Sequence, residues 1–256
     1  MIAGLPMYDW AELQPAHDEL WATLRTAFAG HGIDAPAQLT RDIKLWDLWQ
    51  SPELLLGQTC GMPYRQRLHG KVHLVAALDY GLPNVPDGHY NSVLITRSGD
   101  ATDVADYAKR IFAFNGQDSQ SGWAAAQNHV AALGFRFTTT LHTGAHRDSA
   151  IAVAEGRADI ACIDAITWRL IKTFRSDITA ALQVIATTEP TPGLPLITAF
   201  SQNPETVRAS FSEALNTLNV QVKSQLGLSG KLAVIKAEAY LAVPTPPPPT
   251  QDFPAT

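Results

Sequence analysis

The sequence predicts a two-lobed α/β protein, in which each lobe is a mostly parallel sheet flanked by helices. Strands alternate with helices along the chain, a second complete series of strands and helices begins at Tyr90, and a proline-dense connector at 187–195 leads back towards the first series. We expect lobe 1 to comprise residues 1–89 and 189–243, lobe 2 to comprise 90–188, and residues 244–256 to form an extended proline-rich tail.

The first lobe begins with an apolar strand at 2–7. Leu13, Leu20, Leu24 and Phe28 then recur at helical spacing, which predicts a helix that ends near Gly30. The remaining predicted elements of this lobe are strands at 54–56, 72–78 and 196–199, and helices at 204–218 and around 231–241.

The second lobe repeats the alternation of strands and helices. Two crossings, near 89–92 and near 186–189, are expected to act as hinges. The predicted strands of this lobe lie at 92–96, 110–114, 135–141, 158–163 and 182–186, and its predicted helices at 119–133, 146–156 and 164–174.

Composition excludes several functional classes. The 256 residues carry a net charge of -5 without a Lys/Arg cluster, so no basic surface for nucleic acid is expected. The longest apolar runs fall short of the ~20 residues that span a bilayer, which argues against membrane insertion. Cys60 and Cys162 are the only cysteines, so neither a metal-binding cysteine pair nor a disulfide framework is predicted. No cofactor and no metal are expected, and we expect the protein to be a monomer.

The start of the helix at 119 is the sharpest local motif. Ser119-Gln120-Ser121-Gly122 follows a strand and a glycine-containing turn. The first amides of a helix lack internal partners, and the helix dipole adds about half a positive charge there, so an anion is favoured without Lys or Arg. The alternative is that Ser119 or Asp118 is only a helix N-cap.

His146 and Asp164 belong to the same predicted lobe. His146 starts a helix and Asp164 follows a strand, and open α/β sheets place ligand groups at such positions. Each residue also has a simpler interpretation as a cap, and Arg147, beside His146, is either an additional anion donor or a solvated helix residue.

Taken together, these motifs resemble the phosphate, phosphite and phosphonate substrate-binding proteins of bacterial ABC importers, which have the type II periplasmic-binding-protein fold. The resemblance covers nearly the whole chain. It rests on the Ser-x-Ser-Gly helix start, the stretch 144–164, Thr191-Pro192-Gly193-Leu194-Pro195, and Gln58-Thr59-Cys60-Gly61 after a strand.

The resemblance implies that an oxyanion sits on the helix start in a cleft between the lobes. Its hydroxyl and imidazole donors would be Ser119, Ser121 and His146, and Asp164 would meet a ligand amine. Aromatic residues of the first lobe would close over the ligand. The predicted ligand-binding residues are Ser119, Ser121, Gly122, His146, Asp164, Tyr8, Tyr64 and Tyr90.

The resemblance also implies a small anionic ligand of the phosphonate or phosphate class, an ABC permease as partner, a periplasmic location and no catalysis. Two features depart from the family. Gln120 replaces a small or hydroxyl residue between the serines, and the sequence from Met1 has no secretory signal, which leaves a cytoplasmic location open.

Other functions remain as alternatives. Cys60 with a histidine could form a nucleophile and base in an enzyme. Pyrimidine-synthesising proteins of thiamine metabolism share this fold, but their cysteine-rich motif is absent from this sequence. A cytosolic ligand sensor on the same fold is a further alternative.

Overall fold

A computed structural model of the chain describes residues 1–250. The strands are β1 (Ile2–Gly4), β2 (Leu54–Gln58), β3 (His73–Leu78), β4 (His89–Tyr90), β5 (Ser92–Arg97), β6 (Phe112–Phe114), β7 (Thr140–His142), β8 (Ile160–Asp164), β9 (Leu182–Thr187), β10 (Thr191–Pro192), β11 (Pro195–Thr198) and β12 (Leu232–Ala233). The helices are α1 (Gln14–Gly30), α2 (Leu45–Trp49), α3 (Gly61–Pro63), α4 (Ala125–Ala131), α5 (His146–Ala154), α6 (Ala165–Phe174), α7 (Ser176–Thr179), α8 (Pro204–Thr217), α9 (Val220–Leu226) and α10 (Ala237–Leu241).

The chain forms two compact units. Unit 1 comprises Met1–His89 and Pro192–Leu241, and among the described residues unit 2 comprises Tyr90–Thr191 and 242–250. The chain thus returns to unit 1 at Pro192. The sequence predicts this return three residues earlier, at 189. The sequence predicts an extended proline-rich tail from 244, and in the structure residues 242–250 pack with unit 2. Residues 251–256 of that predicted tail lie outside the described residues.

Unit 1 contains a mixed sheet with the strand order β1-β2-β11-β3-β12. β1 is parallel to β2, whereas β11 is antiparallel to both β2 and β3. All residues of β2 are buried, as expected for a short apolar strand in the middle of a sheet. α1 buries Leu20, Leu24 and Phe28 and packs against α8.

The end of unit 1 differs from the predicted single helix at 231–241. Leu232 and Ala233 pair with β3 as the strand β12, and only Ala237–Leu241 is helical, so the prediction was wrong for the first half. The sequence analysis also missed α9. This helix is capped by the Asn219 side chain, which accepts from the Gln221 amide, and it ends at Gly227 with a left-handed φ of 64°.

Unit 2 contains a sheet with the order β7-β6-β8-β5-β9. β6 is parallel to β7 and β8, while β5 is antiparallel to β8 and β9, so β5 alone runs against the other strands of this sheet. The mostly parallel sheet predicted for this lobe is confirmed. The ring of Phe112, on β6, stacks on the ring of Phe137 with their centroids 4.4 Å apart.

β7 is much shorter than the strand predicted at 135–141. The Gln127 side chain of α4 donates to the Phe137 carbonyl at 2.9 Å and accepts from the Phe137 amide at 3.2 Å. Because a helix side chain satisfies the backbone of Phe137, this residue does not join the sheet ladder, and the strand begins only at Thr140.

Candidate functional site

The predicted helix start forms a π-helical turn, Gln120–Ala124, that continues into α4. The Ser119 hydroxyl accepts a hydrogen bond from the Gly122 amide at 2.9 Å, and the Ser119 carbonyl accepts from the Trp123 and Ala124 amides. Ser119 is therefore the N-cap of this helix. Wide turns of this kind occur frequently at functional sites.

Ser121 is fixed from two sides. Its hydroxyl oxygen lies 2.8 Å from Nε2 of His146, and its carbonyl accepts a 3.0 Å hydrogen bond from the Ser92 hydroxyl on β5. Ser121 is only 4% exposed. The structure thus brings together Ser121 and His146, which the sequence placed at two separate helix starts, and adds Ser92, which the sequence analysis did not select.

Position 122 requires glycine because the side chains of Asn115 and His146 approach its Cα closely. A Cβ atom at this position would overlap Oδ1 of Asn115 and lie 3.0 Å from Cε1 of His146. Asn115 directly follows β6, and its Oδ1 is buried without a hydrogen bond to the described residues. The sequence analysis did not select Asn115, although its place at the carboxyl end of a strand was a usable signal.

His146 has an unusual electrostatic environment. Burial lowers the pKa of His146 to about 4, and the backbone of Cys162 opposes this shift. The imidazole is therefore neutral at pH 7. Its Nδ1 atom is buried and makes no hydrogen bond of ordinary geometry within residues 1–250. A neutral imidazole has one N–H, so His146 and the Ser121 hydroxyl beside it together have two hydrogens to donate.

The turn before α5 positions His146. The Thr143 hydroxyl lies 3.1 Å from the Phe114 carbonyl and 2.7 Å from the Ser149 hydroxyl, so it ties the end of β6 to the first turn of α5. Gly144 has a left-handed φ of 85°, which an L-residue with a side chain rarely adopts. This geometry directs the chain into α5 at His146.

Asp164 is buried at the end of β8. Its Oδ1 accepts from the Ile166 amide at 2.7 Å and from the Thr167 amide at 2.9 Å, so it is the N-cap of α6. Across the sheet Asp164 is paired with Ser92, whose hydroxyl donates to Ser121. Asp164 is therefore one strand away from the Ser121 backbone, and its role towards a ligand amine stays a prediction.

The three tyrosines are all buried. Tyr8 packs edge-on against Tyr80 with centroids 5.3 Å apart, and Tyr64 packs edge-on against Tyr240 at 5.2 Å. Burial also raises the pKa of Tyr64. Tyr90 lies on β4 and is 1% exposed. All three side chains are thus packed in the interior, and their ligand roles stay predictions.

The two cysteines and the side chains that could ligate a metal give little support to an enzyme or a metal site among the described residues. Neither Cys60 nor Cys162 is in a disulfide bond, and burial raises the pKa of the Cys162 thiol to about 12, so this thiol is protonated at neutral pH. Residues 1–250 contain no group of three or more His, Cys, Asp or Glu side chains arranged to hold a metal ion. Among the helices of the same residues, none combines the length and apolar character that crossing a bilayer requires.

Comparison with known proteins decides the family. Residues 48–237 match the model of the periplasmic phosphonate substrate-binding proteins of ABC transporters. The chain belongs to this family. The match spans most of the sequence and includes the helix start at Ser119, His146 and Asp164. No curated protein sequence matches the chain.

Solved structures of this phosphonate-binding family and of similar proteins share the fold. PhnD1 from Prochlorococcus marinus in complex with methylphosphonate has a TM-score of 0.70 at 13% identity, over 93% of this chain and 94% of its own. The binding protein component of an ABC phosphonate transporter from Pseudomonas aeruginosa has a TM-score of 0.65 at 19% identity, over 91% and 80%. A Xanthomonas citri protein bound to chloride ion has a TM-score of 0.71 at 11% identity, over 93% and 92%.

Family membership confirms the predicted type II periplasmic-binding-protein fold and the predicted function class. The chain is a substrate-binding component of an ABC transporter and binds a small phosphonate-type oxyanion. A small ligand and an ABC permease are therefore its partners, and the family to which it belongs is periplasmic.

Proposed function

We propose that the oxyanion of a phosphonate or phosphate binds at the start of the helix that contains Ser121 and Gly122. The Ser121–His146 pair supplies one donor, because a neutral imidazole has one N–H and the contact between the two side chains uses one of their two hydrogens. The first backbone amides are further donors, and the positive end of the helix dipole favours the negative charge. The observation that carries this proposal is the 2.8 Å contact between Ser121 Oγ and His146 Nε2, beside an Asn115 Oδ1 that is buried without a hydrogen bond to the described residues.

Neutral donors suit this role. Burial lowers the pKa of His146 to about 4, so the ring is neutral and brings no full charge into a buried position. When its Nε2–H donates to Ser121 Oγ, the hydrogen of the Ser121 hydroxyl is free for the oxyanion. Because Gly122 lacks a Cβ atom, Asn115 and His146 pack tightly against the helix start. In this arrangement Asn115 Oδ1 accepts a hydrogen bond from the protonated oxygen of a phosphonate monoanion.

Asp164 is the proposed partner of a ligand amine. Support comes from its burial and from its pairing with Ser92, which bonds to Ser121. Tyr8, Tyr64 and Tyr90 remain candidates for shaping the ligand's organic group. We infer that the ligand is released chemically unchanged to a permease, because the family consists of substrate-binding transport components. We also infer that the chain acts in the periplasm and as a monomer.

A ligand panel tests the proposed function. Isothermal titration of the full chain with methylphosphonate, aminoethylphosphonate, phosphate, phosphite and sulfate should show a dissociation constant in the micromolar range or below for at least one phosphorus oxyanion. A ligand at a hundredfold excess over its dissociation constant stabilises a folded protein by ~2.7 kcal/mol, so a rise in Tm should accompany binding. Absence of binding and of any Tm shift across the panel would contradict the proposal.

A further inference from the structure

The segment Val243–Thr250 has a sequence that restricts its conformation. Pro246 to Pro249 are four consecutive prolines, each of which fixes φ near −65° and disfavours helical backbone in the residue before it. Such a run adopts the polyproline II helix, which has three residues per turn and no internal hydrogen bonds. Accordingly, residues 244–249 form neither helix nor strand.

Burial along this segment follows the same period of three. Pro249 is buried, Val243 and Pro246 are partly buried, and the residues between them are exposed. Because one turn of a polyproline II helix contains three residues, positions 243, 246 and 249 lie on one face. The segment therefore presents one face to unit 2 and the rest to solvent.

The hydrogen bonds repeat at three residues as well. Asn128 Nδ2 donates to the Pro244 carbonyl at 2.9 Å, and Trp123 Nε1 donates to the Pro247 carbonyl at 3.2 Å. Arg136 adds a longer contact to Pro247 at 3.4 Å. Proline has no amide hydrogen, so the carbonyl is the only backbone group of these residues that can form a hydrogen bond. Two carbonyls one turn apart are thus held by three side chains.

Trp123 is well suited to hold such a segment. Its ring is 1% exposed and packs against Phe114 with centroids 4.9 Å apart, so the core fixes its orientation. Polyproline segments are usually recognised by aromatic side chains, and Trp123 adds an N–H that donates to a proline carbonyl. Because the polyproline helix is already ordered before docking, little conformational entropy is lost.

We propose that Trp123, Asn128 and Arg136 form a polyproline-recognition site on unit 2, and that residues 243–250 of the same chain occupy it as a strap. The strap docks on the helix that contains Ser121 and Gly122. It contacts Trp123, which directly follows these two residues in the sequence. The proposal itself concerns only the strap and its site, and its test requires no anion, so its failure would leave the proposed function intact.

Two matched proline substitutions in the full chain test the strap. Pro249→Ala removes ring atoms from the docked face, whereas Pro248→Ala makes the same change at an exposed position. Hydrogen exchange of the Trp123 indole N–H is followed by ¹⁵N NMR, with Trp123→Phe used to assign its signal. We expect exchange to be about tenfold faster in Pro249→Ala, from the loss of a few buried carbon atoms, and unchanged in Pro248→Ala. Equal exchange rates in the two variants would overturn the proposal.

Asn128→Ala and the protein concentration provide two further measurements. Asn128→Ala leaves the proline sequence intact but removes the donor to Pro244, so the Trp123 indole should again exchange faster than in the wild type. A strap supplied by the same chain protects the indole equally at all concentrations. Protection that increases with protein concentration, together with a dimer in sedimentation velocity, would show docking between two copies and contradict the proposal.

Discussion

The Ser121 hydroxyl oxygen lies 2.8 Å from Nε2 of His146, which joins the starts of two helices in unit 2. The helix after Ser119 and helix α5 each point their first turn at this pair. Since helix starts carry partial positive charge, two of them meeting at a neutral serine and histidine produce a local preference for anions in a chain of net charge -5.

Gly122→Ala should lower both stability and oxyanion affinity. The new methyl group would overlap Asn115 Oδ1, and overpacking of this kind costs about 1–3 kcal/mol. Gly30→Ala is the matched control, because a Cβ there meets nothing within 4 Å at the end of α1. Urea denaturation and titration calorimetry should show a deficit only for Gly122→Ala. A Gly122→Ala protein as stable as the control would mean that the close approach of Asn115 is not maintained.

Substitution of Asp164 should separate its two roles. Asp164→Ala removes the cap of α6 and is expected to cost about 0.5–2 kcal/mol of stability, whereas Asp164→Asn keeps a good capping side chain. If Asp164 also meets a ligand amine, Asp164→Asn should weaken aminoethylphosphonate binding by roughly tenfold or more and leave methylphosphonate unaffected. Equal effects on the two ligands would limit Asp164 to capping.

Stability should decrease on acidification in a manner that depends on His146. Burial lowers the pKa of His146 from 6.5 to about 4, so between these pH values the unfolded chain binds a proton that the folded chain does not. The contribution of this residue is complete above pH 6.5 and is lost as the pH falls towards 4, by at most about 3 kcal/mol. Denaturant midpoints from pH 7.5 to 4 should fall less steeply for His146→Asn. Parallel curves for the two proteins would contradict a buried neutral histidine.

The sequence was sufficient for the alternating elements and for the polar residues at their ends. Ser121, Gly122 and His146 each stand at a helix start, which the local pattern marks directly. Asn115 and Ser92 were not selected because their importance comes from contacts with residues 7 and 29 positions away, which local patterns do not contain. Tertiary contacts also override local preference.

β12 illustrates this override. Its residues lie in a stretch with helical composition but pair with β3. Similarly, the predicted strand before Thr140 is interrupted because the Gln127 side chain forms hydrogen bonds with the backbone carbonyl and amide of Phe137. The docking of the proline-rich segment on Trp123 joins residues 124 positions apart. The sequence indicates its extended conformation but not the surface that it contacts.

Isothermal titration of a Ser121→Ala/His146→Ala double variant tests the central claim most directly. A matched control is Ser176→Ala/His129→Ala, which changes a serine at the start of α7 and a histidine in the last turn of α4, about 14 Å along the helix from Gln120. The hydrogen bond that this pair donates to a charged group contributes about 1.5–3 kcal/mol, so the double variant should bind the best phosphorus oxyanion at least about tenfold more weakly, while retaining its circular dichroism spectrum. The control should bind like the wild type. Unchanged affinity in a folded Ser121→Ala/His146→Ala protein would contradict the assignment of the oxyanion to this helix start.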